Sequence, residues 1–169
     1  MANMKILSKV LEILDMGKPD MSEFDNRLKL QKIVYLLQSS GMSLGYGYNW
    51  YVKGPYSSPL AHDLFEIEKS AEIYEKNLGI KFENHEQIVH KLESFRDFLG
   101  DDINDVKYLE VLASIHYINE ATFSGKGDES SLKDRLLEAK PSLKGVSNIG
   151  DMISKSYANL SKFYEIYGS

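Results

Sequence analysis

The chain of 169 residues contains no cysteine, only 4 prolines and a single tryptophan. Without cysteine it can form no disulfide framework, thiolate metal site or cysteine nucleophile. The 43% hydrophobic and 27% charged residues exclude collagen-like and disordered proteins. No apolar run reaches the ~20 residues of a membrane span, and no basic segment followed by an apolar one marks a signal peptide. We therefore expect a globular cytoplasmic protein that makes no membrane contact.

Helical periodicity dominates the sequence. Helices are predicted over residues 4–15, from residue 25 or 26 to 39, and after a serine cap at residue 57 or 58, where Leu60, Leu64, Phe65 and Ile67 face the core. Four more follow from residue 84, with breaks at 100–102, 124–128 and 141–145. The helix over 106–121 is apolar on several sides and is expected at the centre.

Two segments indicate β-structure. Residues 46–52 predict a short aromatic strand, after which Gly54-Pro55 turns the chain. Residues 72–83 predict a hairpin with its turn at 77–79, although a helix that continues to this turn competes with it. We expect one mainly α (α+β) domain over 1–169 with about six to seven helices. Its N-terminal half, about 1–83, is expected to be winged-helix-like, and residues 84–169 form a helical half.

No cofactor or metal site is predicted. His85 and His90 are five residues apart, so they point to different sides of a helix and do not match the spacing of zinc ligands. We expect both to be solvated surface residues.

The sequence shows no catalytic constellation. Ser58, His62 and Asp63 lie within one helical turn, but helix capping explains Ser58 and Asp63 better than catalysis does. An enzyme would need distant residues to converge, for example His62 with Glu66 or His116. A non-enzymatic protein is therefore the first hypothesis.

Charge is unevenly distributed along the chain. Residues 1–61 sum to +2 and the remainder to -7, within a net charge of -5. The window 26–61 lacks Asp and Glu and is rich in tyrosine. Such a window suits a protein interface or a surface that stacks bases and binds phosphates, while burial of its aromatic residues in the core is the competing interpretation.

Two binding hypotheses follow from this window. The first is a protein-interaction patch formed by Lys32, Tyr35, Trp50, Tyr51, Lys53, Gly54, Pro55, Tyr56 and Ser57. The alternative is nucleic-acid binding through Arg27, Lys29, Lys32 and Lys53. The aromatic stripe of the last helix could also support a homodimer.

Three segments carry a family resemblance: residues 30–38 (LQKIVYLLQ), 48–57 (YNWYVKGPYS) and 60–64 (LAHDL). With them the chain resembles YwgA-like prokaryotic proteins and, more distantly, the Panacea or SocA-like antitoxin domain. The latter resemblance implies a mainly helical interaction module whose partner is a toxin or, for an adaptor, the proteolytic machinery. The chain lacks the appended helix-turn-helix domain of the antitoxin pattern, and the resemblance supplies no catalytic residue.

Overall fold

The computed structural model describes residues 4–76 and 79–168. Within these ranges it contains eight α-helices: α1 (Met4–Ile13), α2 (Phe24–Ser39), α3 (Ser58–Lys69), α4 (Ala71–Lys76), α5 (His85–Leu99), α6 (Val106–Phe123), α7 (Glu129–Ala139) and α8 (Ile149–Tyr167). Strands β1 (Asn49–Tyr51) and β2 (Gly54–Tyr56) form an antiparallel hairpin. This architecture confirms the prediction of a mainly α domain with a short hairpin, although the described residues form eight helices rather than six to seven and the hairpin lies at 49–56. None of the helices in these ranges is long and apolar enough to cross a membrane.

The centre of the molecule is α6, as its all-round apolar sequence predicts. Asp105 begins this helix by accepting a hydrogen bond from the Tyr108 amide at 3.0 Å, and an almost continuous run from Tyr108 to Asn119 is buried. Helices α2, α7 and α8 and strand β2 pack around it. The aromatic side of α8 therefore closes the core.

Helix α2 is shared by two hydrophobic clusters. Ile33 and Leu37 belong to the α6-centred core, whereas Leu30 and Val34 pack with α1 and α3 in a second cluster. As a result residues 30–37 are buried on every side of the helix. An amphipathic stripe does not describe such a helix, and charged or amide side chains on it must find partners inside the protein.

The start of α3 follows the predicted chemistry. Ser57 is the N-cap, and its hydroxyl accepts a hydrogen bond from the Leu60 amide at 3.3 Å. The predicted core residues Leu60, Leu64 and Ile67 are buried. The same prediction for Phe65 is wrong, because it lies on the outer side of the helix and is 37% exposed.

The predicted strand over 46–52 is shorter, and its turn lies earlier in the chain. Regular pairing begins at Asn49, and Val52 and Lys53 form the turn. Gly54 and Pro55 belong to β2 rather than to a turn. Gly54 adopts φ +90°, and a Cβ placed there would lie 2.4 Å from Ser114 Oγ, so only glycine lets β2 approach α6 this closely.

The hairpin predicted over 72–83 is also wrong within the described residues. Ala71–Lys76 is helix α4, and residues 80–82 form no strand. The Ser70 hydroxyl accepts from the Ile73 amide at 3.2 Å, and Glu72 pairs with Lys76 one turn later, so local contacts favour a helix. Residues 77 and 78 of the predicted turn lie outside the described residues.

Candidate functional site

A groove opens where the first half of α2, the hairpin and the start of α3 meet. Its volume is about 260 Å³. Its apolar lining includes Phe24, Leu28, Tyr51, Val52, Tyr56 and Ala61. Among the residues that the structure describes, the lining contains Arg27, Lys32 and Lys53 but no Asp or Glu. We call this site the hairpin groove.

Exposed apolar side chains concentrate at the hairpin groove. Phe24 is 53% exposed, Tyr51 48% and Val52 84%. Phe65 lies one helical turn beyond the lining residue Ala61, so it extends the same apolar face along α3. A cluster of large apolar side chains in contact with water is typical of a binding surface.

The hairpin divides its aromatic residues between two sides. Trp50 faces inward, where its ring centroid lies 5.5 Å from that of Tyr117 on α6. Tyr51, the next residue, faces outward and makes an edge contact with Tyr56 at 5.2 Å. This alternation is expected of a strand. It removes Trp50 from the groove and leaves Tyr51 and Tyr56 to line it.

Buried polar contacts fasten the hairpin to α2. The Gln31 side chain donates to the Ser57 carbonyl at 2.9 Å and accepts from the Ser57 amide at 2.9 Å. Lys32 Nζ donates to the Pro55 carbonyl oxygen at 2.7 Å. The Tyr48 hydroxyl donates to the Gln31 carbonyl at 3.0 Å. These bonds join two of the sequence segments that carry the family resemblance, so those segments position the groove.

Lys32 is the most unusual charged residue of the site, because its exposed fraction is 0%. Burial is the main cause that lowers the pKa of its ammonium, the nearby charge of Lys140 adds to it, and the resulting pKa is about 7. Glu110 acts in the opposite direction. Within the described residues the direct hydrogen-bond acceptor of Lys32 is a neutral carbonyl. The amine therefore lies below the hairpin without a carboxylate in direct contact.

Glu110 on α6 forms an ion pair with the second buried lysine, Lys140. Its carboxylate forms ion pairs with Lys140 and, at 3.0 Å, with Lys107. Burial by itself would raise the pKa of Glu110, but these two lysines hold it below its ordinary value. The single carboxylate is thus already committed to two lysines other than Lys32.

The predicted partner-binding residues do not all reach the groove. Lys32, Tyr51, Lys53, Gly54 and Tyr56 line it. The remaining four lie behind it, where they support the fold: Tyr35, Trp50, Pro55 and Ser57.

Tyr35 illustrates the second group, because its hydroxyl lies in hydrogen-bond contact with buried His116 at 2.7 Å. Sequence reasoning missed Phe24, Val52 and Phe65. The signal that could have identified them is a large apolar residue at a turn, for Val52, or between acidic residues, for Phe24.

The four predicted nucleic-acid contacts are not gathered on one exposed surface. Lys32 is buried, and Lys29 lines a separate cavity of about 240 Å³ together with Asp15 and Asp20. Arg27 and Lys53 share the hairpin groove. Arg27 is itself held in place, with its guanidinium donating to the Met21 carbonyl at 2.8 Å and lying 5.6 Å from the Phe24 ring centroid.

The residues weighed for catalysis have separate surroundings. His62 is exposed and contacts Asp63 at 3.3 Å, whereas Glu66 pairs with Lys69 at 3.8 Å. His116 is buried against α8, and burial lowers its pKa. In the described part of the chain no group of three or more His, Asp and Glu side chains is placed to hold a metal ion.

Comparison of the chain with protein-family models, curated proteins and solved structures found no match. The resemblance to the YwgA-like and Panacea groups therefore stays a prediction. Any functional conclusion must come from the geometry of the hairpin groove.

Proposed function

We propose that this protein is a non-enzymatic interaction module that docks a partner protein in the hairpin groove. The observation that carries the proposal is the meeting of Phe24, Tyr51 and Val52, all exposed, at one cavity. Aromatic and arginine side chains around a pocket are the usual source of binding energy at protein interfaces. The expected compartment is the cytoplasm.

The groove is preorganised, so a partner can dock on it without the hairpin having to fold around that partner. Gln31 and Lys32 hold the backbone of residues 55–57 through three hydrogen bonds, so the hairpin is fixed before a partner arrives. A surface already held in its binding conformation loses less entropy when a complex forms. The same bonds explain why buried polar residues occur on α2.

The resemblance to the antitoxin group favours the same class of function. It suggests a regulatory adaptor whose partner is a toxin or a component of the proteolytic machinery. Nucleic acid is the alternative partner, but it is less well supported. Of the four predicted nucleic-acid contacts, two share the groove without being fully buried, Arg27 and Lys53. A homodimer through α8 remains a third arrangement to be distinguished.

The test is an affinity purification of the tagged protein from its producing cells, followed by mass spectrometry. Val52→Glu places a charge at the most exposed apolar position of the groove, and Ile166→Glu is the matched control because Ile166 is 60% exposed on α8. We expect a stoichiometric partner with wild type and Ile166→Glu that is lost with Val52→Glu. Equal recovery by all three proteins would contradict the groove, and loss with Ile166→Glu alone would move the interface to α8.

A further inference from the structure

Resting on this proposed function, we propose that the occupant of the hairpin groove is an acidic amphipathic segment of the partner, with an apolar anchor beside aspartate or glutamate. The inference concerns the chemistry of the partner. It rests on two properties of the groove: the lining is apolar, and its charged residues are basic.

The apolar lining determines which kind of partner side chain can enter the groove. Leu28 is buried in the wall of the groove, while Phe24, Tyr51 and Val52 stand at its opening with much of their surface in water. An apolar side chain of the partner that enters here removes surface on both molecules from water, at ~25 cal/mol per Å². A segment without such a side chain would leave the lining exposed.

The charge of the groove determines what flanks the anchor. Arg27 and Lys53 are the partly exposed cationic residues of the lining, Lys32 is fully buried beneath the hairpin, and among the described residues the lining contains no Asp or Glu. Lys53 forms no ion pair within the described residues, and Lys32 donates to a carbonyl rather than to a carboxylate. A partner carboxylate is the group that would complement this positive charge.

Three acidic side chains of α3 and α6 are engaged with other groups of the fold, while Glu23 and Asp25 flank Phe24 without belonging to the lining. Glu110 is committed to Lys107 and Lys140. On α3, Asp63 accepts from the Tyr46 hydroxyl at 2.7 Å, and Glu68 accepts from the Met21 amide. Because these three carboxylates contact groups of the fold itself, they leave Arg27 and Lys53 of the lining for a partner to complement.

The experiment uses a phage library of random 16-residue peptides, selected on the full chain and counter-selected on the Val52→Glu variant. We expect the enriched peptides to carry Leu, Ile, Met, Phe or Trp within one helical turn of Asp or Glu. Synthetic copies should bind Lys53→Glu about tenfold more weakly than wild type at low salt. Lys162→Glu, a charge reversal on exposed α8, is the matched control and should leave affinity unchanged.

Arg27→Gln provides a second charge variant in case Lys53→Glu disturbs the hairpin, and circular dichroism checks the fold of both. Enriched peptides that are basic or uncharged, an absence of enrichment, or equal affinity for the folded charge variants would overturn the inference. Displacement of the peptides by a 20-nucleotide poly(dT) at physiological salt would instead identify a nucleic-acid surface. If purification recovers a groove-dependent partner while selection yields no acidic peptide, the inference fails and the proposed function stands.

Discussion

Replacing Lys32 with methionine should stabilise the protein at low pH and destabilise it at high pH. The lysine is 0% exposed, and burial lowers the pKa of its ammonium from 10.5 to about 7 in the folded protein. Between these two pH values the unfolded chain binds one more proton than the folded chain. The stability of the wild type therefore rises with pH across this window and is lowest below pH 7, where Lys32 is charged in both states.

The size of the effect follows from the shift in pKa. At 1.36 kcal/mol per unit, a change from 10.5 to about 7 corresponds to about 5 kcal/mol of unfolding free energy across the window. Methionine removes this cost but leaves the Pro55 carbonyl without its donor, which costs about 1–3 kcal/mol at any pH. Lys32→Met should thus stabilise the protein by about 2–4 kcal/mol at pH 6 and destabilise it by about 1–3 kcal/mol at pH 10.5.

Urea unfolding at pH 6, 7, 8, 9 and 10.5, followed by the fluorescence of Trp50, measures this difference directly. Subtracting the wild-type curve from the variant curve cancels the titration of all other groups to first order. Lys53→Met, on the turn of the same hairpin, is the matched control and should keep the pH dependence of the wild type. A difference between Lys32→Met and wild type that is constant with pH would refute the buried-amine account.

Two further predictions concern the supports of the groove. Gly54→Ala should destabilise the protein by about 2–4 kcal/mol, because its Cβ would lie 2.4 Å from Ser114 Oγ at a φ of +90°. Ser114→Ala removes a buried hydroxyl that has no partner in the described residues, so the double variant should regain part of this stability in thermal unfolding. If the effects of the two substitutions were fully additive, the clash would be contradicted. Ser57→Ala should lower the free energy of unfolding by about 1 kcal/mol, because the N-cap of α3 is lost. Ser58→Ala, at an exposed position, should change it little, and equal effects of the two variants in urea unfolding would refute the capping assignment.

Much of the helical architecture could be predicted because it follows from local sequence. The all-round apolar pattern of α6 predicts the central helix, and the two serines before Pro59 locate the start of α3, where Ser57 is the cap. The segment 72–83 was ambiguous, because its propensities allow strand or helix. The Ser70 cap and the Glu72–Lys76 pair favour the helical alternative.

The site was harder to predict because it depends on contacts between distant segments. Lys32 is predicted from the sequence as a contact residue, which requires an accessible side chain, yet packing of α3, α6 and β2 around α2 buries it. Gly54-Pro55 has the composition of a turn, but the approach of β2 to Ser114 requires glycine within the strand. Tyr51, Lys53 and Tyr56 are close in sequence and line the same groove, so their proximity could be predicted without knowledge of distant contacts.

Site-specific photo-crosslinking tests the central claim, that the hairpin groove holds a partner protein, most directly. Benzoylphenylalanine is placed at position 52 in the groove or at position 166 on α8, both highly exposed, and the cells are irradiated before lysis. The account predicts a discrete protein adduct from position 52 that is absent from position 166. An absence of adduct at position 52, or the same adducts from both positions, would contradict it.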